Sequence, residues 1–284
     1  MRATCLAILL LALAGSASAQ QQVELRVPHA DSVQVLVLND GSRHVGRIQS
    51  LDGDEVVFVT TSATVRIPRA NIRTITSVPA SLIRNGEFWA PSPNSSRLFF
   101  APTARMLERG TGYFADHWIF FPSVNYGVSS NVTMGGGMSI IPGAGFDEQM
   151  YFLTPKVGLR AAPGVDLAAG ALVVQAFEHT AGIGYVVGTF GGELGGVTAG
   201  IGYGFADGSL SDQPALMLGA DRRVSRRIAL ITENWWLGGD TEPVVSYGIR
   251  FLGEKLSADL GFINIIGEDG FFPGIPLIGF AFGF

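Results

Sequence analysis

The feature that most limits what this chain can fold into is a two-residue alternation that recurs from Arg97 to Phe284. Ile201, Tyr203 and Phe205 alternate with Gly200, Gly202 and Gly204. Val245, Tyr247, Ile249 and Phe251 alternate with Ser246, Gly248 and Arg250, and Leu256, Ala258, Leu260 and Phe262 with Ser257, Asp259 and Gly261. Tyr151, Leu153, Val157 and Leu159 oppose Thr154, Lys156, Gly158 and Arg160. Period two belongs to strands, because successive side chains leave a strand on opposite faces. In a water-soluble sandwich the second face would be generously charged. Here it is mostly Gly, Ala, Ser and Thr with isolated charges. Five of the 38 glycines precede Arg97, which leaves 33 in the alternating region. High hydrophobicity without one long apolar run is what strands facing lipid on one side require.

The strand patterns fall at 97–106, 114–128, 131–140, 150–160, 165–176, 181–190, 196–206, 214–221, 227–237, 244–253, 256–265 and 276–284. This gives an all-β, antiparallel transmembrane barrel of about twelve strands, with ten or fourteen left open because strand ends are poorly fixed by sequence. The last pattern puts Ile278, Phe280, Phe282 and Phe284 on one face and Gly279, Ala281 and Gly283 on the other. Alternating apolar residues ending on an aromatic resemble the C-terminal assembly signal of bacterial outer-membrane β-barrels. The resemblance covers residues 97–284. It implies an outer-membrane location, with lipid and the barrel assembly machinery as partners.

The N-terminus agrees. "MRATCLAILLLALAGSASAQ" has a basic start, an apolar run too short to span a bilayer, and an A-x-A cleavage pattern at Ala17–Ala19. Residues 1–19 therefore read as a secretory signal peptide. Cys5, the single cysteine, lies within it. Disulfides and cysteine-based metal sites are excluded from the remainder.

Residues 20–78 have a different texture, with short Val- and Ile-rich strands and tight turns at "NDG" and "LDGDE". The strands read as Val33–Leu38, His44–Gln49, Val56–Thr60, Thr64–Ile67 and Ile72–Thr76. Their spacing resembles the small five-stranded barrels of the Sm-like and SH3-like kind. No nucleic-acid partner is expected, because charges cancel over this segment and no basic aromatic face is present. The expected role is a periplasmic domain for a partner of unknown identity. Residues 79–96, rich in Pro, Ser and Asn, read as a linker before the barrel at 97–284.

Strand parity directs Arg97, Arg105, Asn125, Lys156, Arg160, Asp221, Glu233, Arg250 and Asp259 into the lumen. Such residues either line a water path or pair into a rigid network. With an even strand count both barrel ends lie in the periplasm. The outward connections then carry eleven acids, including Asp147, Glu148, Asp240, Glu242, Glu268 and Asp269, against Arg109. Asp116, with Glu108, Glu178, Asp207 and Asp212, completes that count.

A lipid-modifying hydrolase needs a nucleophile beside a base. His117 and His179 sit near the expected outer rim, with Ser209 and Ser211 on another outer connection. No cofactor and no metal are expected. "GEDG" at 267–270 lacks the ligand count of a calcium loop, and "GTFGGELGG" has no phosphate-loop lysine. The reading that follows is a narrow pore or a structural envelope protein. A rim enzyme and a non-membrane adhesin or scaffold are its rivals.

Overall fold

The computed structural model describes residues 32–239, 241–267 and 272–284. The expected signal peptide lies outside them. So do Asp240, Glu268 and Asp269 of the acidic rim. The chain divides into two compact units, one ending at Phe88 and one running from Trp89 to Phe284.

The first unit is a five-stranded antiparallel sheet. Its strands are β1 (Ser32–Leu38), β2 (Arg43–Asp52), β3 (Glu55–Thr60), β4 (Thr64–Pro68) and β5 (Ile72–Pro79), in the order β4-β3-β2-β1-β5. A two-residue hairpin, β6 (Ile83–Arg84) and β7 (Glu87–Phe88), follows. Leu36, Ile48, Val56, Phe58, Ile67 and Ile72 form the core. Gln34 is buried, and its Oε1 accepts the Ile48 N–H at 2.9 Å, next to the register shift between Ile48 and Ser50. In the "NDG" turn Gly41 has φ +86°, where a side chain would be strained, and Asp40 Oδ1 accepts from Ser42 N at 2.8 Å and Ser42 Oγ at 2.6 Å.

The second unit is a closed barrel. Its strands are β8 (Gly112–His117), β9 (Phe121–Ser129), β10 (Val132–Met138), β11 (Tyr151–Leu153), β12 (Lys156–Ala162), β13 (Val165–Ala176), β14 (His179–Gly192), β15 (Gly195–Ala206), β16 (Ser209–Ser225), β17 (Ile228–Trp236), β18 (Val244–Leu252), β19 (Leu256–Ile265) and β20 (Ile275–Gly283). β11 and β12 both lie between β10 and β13 and form one stave interrupted at Thr154–Pro155, which gives twelve. β20 pairs with β8, from Gly279↔His117 to Gly283↔Tyr113, and closes the ring. Closure removes every edge, which a wall in hydrocarbon requires.

Twelve is the expected count, but the staves are not the expected ones. Residues 97–106 are not in the wall. The expected strand over 114–128 is instead two, β8 and β9, joined by a turn at Trp118–Phe120. Trp118 and Ile119 take φ of 52° and 70° there. No Gly, Asn or Asp marks that turn, so nothing in the local pattern announces it. The Trp118 indole N–H donates to Pro276 O at 2.8 Å, and its ring lies 5.3 Å from Phe100 and 6.5 Å from Phe121. These contacts hold a backbone that a β-branched residue rarely adopts.

The outer wall is apolar. Among the described residues, every large apolar side chain that is exposed belongs to this unit, Leu51 excepted. Val157, Leu159, Leu167, Val186, Phe190 and Leu260 are examples, all outward by parity. A protein in water does not sustain so continuous an apolar surface. Trp118, Tyr151, Tyr203 and Trp236 gather toward the end that carries the connections 118–120, 139–150, 207–208 and 237–243. That is where an interfacial aromatic belt belongs.

Two placements differ from the charge map drawn from sequence. Glu108 and Arg109 lie at the opposite end, beside Gly112 and Phe284, because Thr111 N bonds Glu108 O and Gly112 N bonds Phe284 O. Asp116 lies within β8 and Asp212 within β16. The acids of the described outer connections are therefore Asp147, Glu148, Glu178, Asp207 and Glu242.

Candidate functional site

The lumen is occupied by the chain itself. Residues 89–107 form a strap inside the barrel, in which Leu98, Phe99, Ala101, Thr103 and Ala104 are almost wholly buried. Leu98, Phe99, Ala101 and Ala104 pack against Ala168, Val187, Met217, Ile231 and Leu277 of the inner wall. The small residues of the inward face give this strap its room. At Gly158 a Cβ would lie 2.8 Å from Met106 Sδ and 2.8 Å from Leu167 O, and at Gly219 it would collide with Leu98.

Most of the inward charges hold the strap. Glu233 is 2 % exposed, and its Oε2 accepts the backbone N–H groups of Phe99, Phe100 and Ala101, each at 2.9 Å. Its Oε1 accepts the Trp235 indole N–H at 2.8 Å. Lys156 Nζ does the converse, donating to the carbonyls of Ser96, Thr103 and Arg105 at 3.1, 2.8 and 2.8 Å. Arg250 is bidentate to Asp259 at 2.6 and 2.9 Å and also donates to Leu98 O at 2.6 Å. Asp221 takes Arg105 at 2.9 Å. Thr189 Oγ1 accepts Ala104 N at 2.8 Å, and Ser257 Oγ donates to Asn94 Oδ1 at 3.0 Å. An irregular backbone cannot satisfy its own polar groups away from water, and these wall side chains supply the missing partners.

Arg97 and Arg105 thus lie in the lumen, but on the strap and not on a wall strand. Arg160 sits at the inner end of β12, 64 % exposed at its side chain, and pairs with Asp166 at 2.9 Å. Asn125 lines a cavity with Arg97 and Lys156. Sequence reasoning missed further partners of the strap, namely Thr189, Thr133, Ser257 and Tyr113. It also missed the strap, although Pro102 and the doublet Phe99–Phe100 both break a strand pattern.

Arg250 and Asp259 allow a direct test of this network. Changing Arg250 to Met takes both close hydrogen bonds from the buried Asp259 carboxylate, whose nearest remaining cation is Arg97 Nη1 at 3.8 Å, and is expected to destabilise the barrel by about 3–5 kcal/mol. Arg250→Met combined with Asp259→Leu should recover most of that loss. The check is urea-induced unfolding in lipid bilayers for both single variants and the double. A double variant no better than Arg250→Met would refute the coupling.

Above the strap lies a cavity of about 440 Å³. Phe100, Phe152, Leu172, Ile183 and Trp235 give it a mainly apolar lining, while Arg97, His117, Asn125, Thr154 and Lys156 contribute polar groups. Its lining runs from Trp118, Met150 and Val174, near the outer connections, to Tyr113 and Thr133, each one residue from the inner end of its strand. His117 stacks on Phe100 at 4.8 Å, and its Nε2 lies 2.7 Å from Arg97 Nη1 and 3.1 Å from Phe99 O. A larger concavity runs over Val157, Leu167 and Val186, but those residues belong to the outer wall.

The fold is a strap-filled, closed β-barrel. No family model and no curated protein matches the sequence. Among solved structures, the KdgM porin in complex with disordered oligogalacturonate is similar at 6% identity and a TM-score of 0.43, over 61% of this chain and 95% of that one. The outer-membrane expressed OmpT of Vibrio cholerae is similar at 10% identity and a TM-score of 0.32, over 91% and 100%. A triple mutant of the Rhodopseudomonas blastica porin is similar at 9% identity and a TM-score of 0.34, over 89% and 97%. Likeness this distant does not reach a substrate or a mechanism.

The two barrel histidines lie in different settings. His179 Nδ1 is 2.7 Å from Asp207 Oδ2 at the exposed outer rim, where Thr180 N–H and His179 hold the Asp207 carboxyl below its usual range. Ser211 Oγ donates to Gln213 O at 3.0 Å. Among the described residues no serine hydroxyl bonds His117 or His179, and no group of three or more metal-ligating side chains occurs.

Proposed function

We propose that this chain is a bacterial outer-membrane barrel that holds a small, largely apolar molecule in its lumen and is not an open ion pore. One observation carries the reading: a cavity of about 440 Å³ lies in the lumen beside a strap whose central residues are almost wholly buried. Its volume falls within the roughly 300–1,000 Å³ of small-molecule sites, and its lining is apolar with a few polar groups. Closure of the ring and the apolar outer wall support the membrane location. Both ends of the wall, Gly112 and Gly283, lie at the end opposite the connections 118–120 and 139–150. In an outer membrane that end faces the periplasm, where the N-terminal unit would meet its own partner.

The test has two arms. In planar bilayers the wild-type barrel should show no stable open level of porin size. In nanodiscs, an apolar dye should quench Trp118 and Trp235, which line the cavity, and saturate at one site. Steady porin-like conductance together with no saturable quenching would refute the reading and restore the narrow pore.

A further inference from the structure

We infer that the molecule held in the lumen bears an oxyanion head group, a carboxylate or its equivalent, which Arg97 receives while the apolar part fills the outer half of the cavity. This rests on the cavity being a binding site. Two cationic side chains line the cavity, Arg97 and Lys156, and no carboxylate does. Lys156 already donates to three carbonyls. Arg97 is in a different state. It is 8 % exposed, and its Nη1 serves Phe99 O and His117 Nε2. Its Nε and Nη2 are buried and have no hydrogen-bond partner.

Neighbouring acids do not fill that gap. Asp259 Oδ2 lies 3.8 Å from Arg97 Nη1, and both Asp259 oxygens are already engaged by Arg250. Glu233 spends one oxygen on three amides and the other on Trp235. A buried guanidinium with two idle nitrogens is costly, since each unmet donor keeps its desolvation penalty. The Nε–Nη2 edge is also one that grips a carboxylate with two parallel bonds. Arg97 lines the cavity with other atoms of its side chain, so a turn of the guanidinium toward an occupant would bring the covered Nε–Nη2 edge to the missing acceptor. Apolar residues such as Phe152, Leu172 and Ile183 would then meet the rest of the molecule.

The experiment compares decanoate, decanol and decylamine on the full chain in nanodiscs, read by quenching of the cavity tryptophans. Wild type should bind decanoate about tenfold or more tightly than decanol, the size of one charge-assisted pair, and decylamine more weakly than either. Arg97→Met should bring decanoate down to the decanol level while leaving decanol within about threefold. If wild type binds decanol as well as decanoate, the head-group inference is wrong although the cavity still binds. If none of the three binds, the binding reading itself fails. A carboxylate preference that survives Arg97→Met would overturn the assignment to Arg97. The three-probe comparison on wild type stands even where that variant does not assemble.

Discussion

A chain ending before Ile275 is expected to form no closed barrel at all. β20 pairs with β19 over eight positions, from Leu256↔Phe282 to Ile263↔Ile275, and with β8 over five. Gly112 and Phe284 add two reciprocal backbone bonds at 3.0 and 2.9 Å. Truncation strips β19 and β8 of these partners together. Each unmet backbone group in hydrocarbon costs several kcal/mol, so the loss exceeds any plausible folding free energy. A milder variant, Phe280→Arg, puts a charge on the outward face near the middle of β20, at a cost of about 2–4 kcal/mol. The readout is heat-modifiable mobility and trypsin resistance in the outer membrane. Wild-type behaviour of the truncated chain would refute closure through β20. The same truncation removes Ile278, Phe280, Phe282 and Phe284, the residues proposed as the assembly signal. Phe284→Asp separates the two roles, because its backbone bonds remain available.

Changing Glu233 to Ala is expected to release the strap. One carboxylate oxygen accepts the three consecutive amides of Phe99, Phe100 and Ala101. Alanine leaves all three without that acceptor, Phe99 and Ala101 almost wholly buried and Phe100 at the edge of the cavity. The penalty is about 1–3 kcal/mol for each unmet group, and the loss of one negative charge near Arg97 adds to it. The wall itself should survive, since the ladder bonds of β17 to β16 and β18 do not involve this side chain. Hydrogen exchange at residues 99–101 should therefore accelerate by at least about a hundredfold, and flickering conductance should appear where wild type has none. Glu233→Gln, which keeps an acceptor oxygen without the charge, should fall between the two. Unchanged protection at residues 99–101 in Glu233→Ala would show that apolar packing of Leu98 and Phe99 alone retains the strap.

Much of the wall was legible because parity is local. In β20, Leu277, Gly279 and Ala281 face in and Ile278, Phe280 and Phe282 face out, as the alternation requires. The failure at residues 97–106 was also local in origin. "RLFFAPTARM" is as apolar as its neighbours, and only Pro102 and the Phe99–Phe100 doublet argue against a strand. The turn at Trp118–Phe120 failed for the opposite reason, since contacts from the distant Phe100 and Pro276 support it and the one local side-chain bond is the long one from Phe121 N–H to Asp116 Oδ1 at 3.3 Å.

By itself the sequence determined that the second unit is a β-barrel with an apolar wall and about twelve staves, and that isolated charges point inward. These follow from the two-residue repeat of a strand, which any short window displays. The tertiary structure decided what the charges do. Glu233 meets Phe99 across 134 residues, Arg250 meets Leu98 across 152, and Ser257 meets Asn94 across 163. A lumen exists only once the ring has closed, so which segment fills it is a property of the closed ring. Strand periodicity carries no information about a segment that is not a strand. The sequence therefore allowed a water path and a paired network equally, and the position of one irregular stretch of chain chose between them.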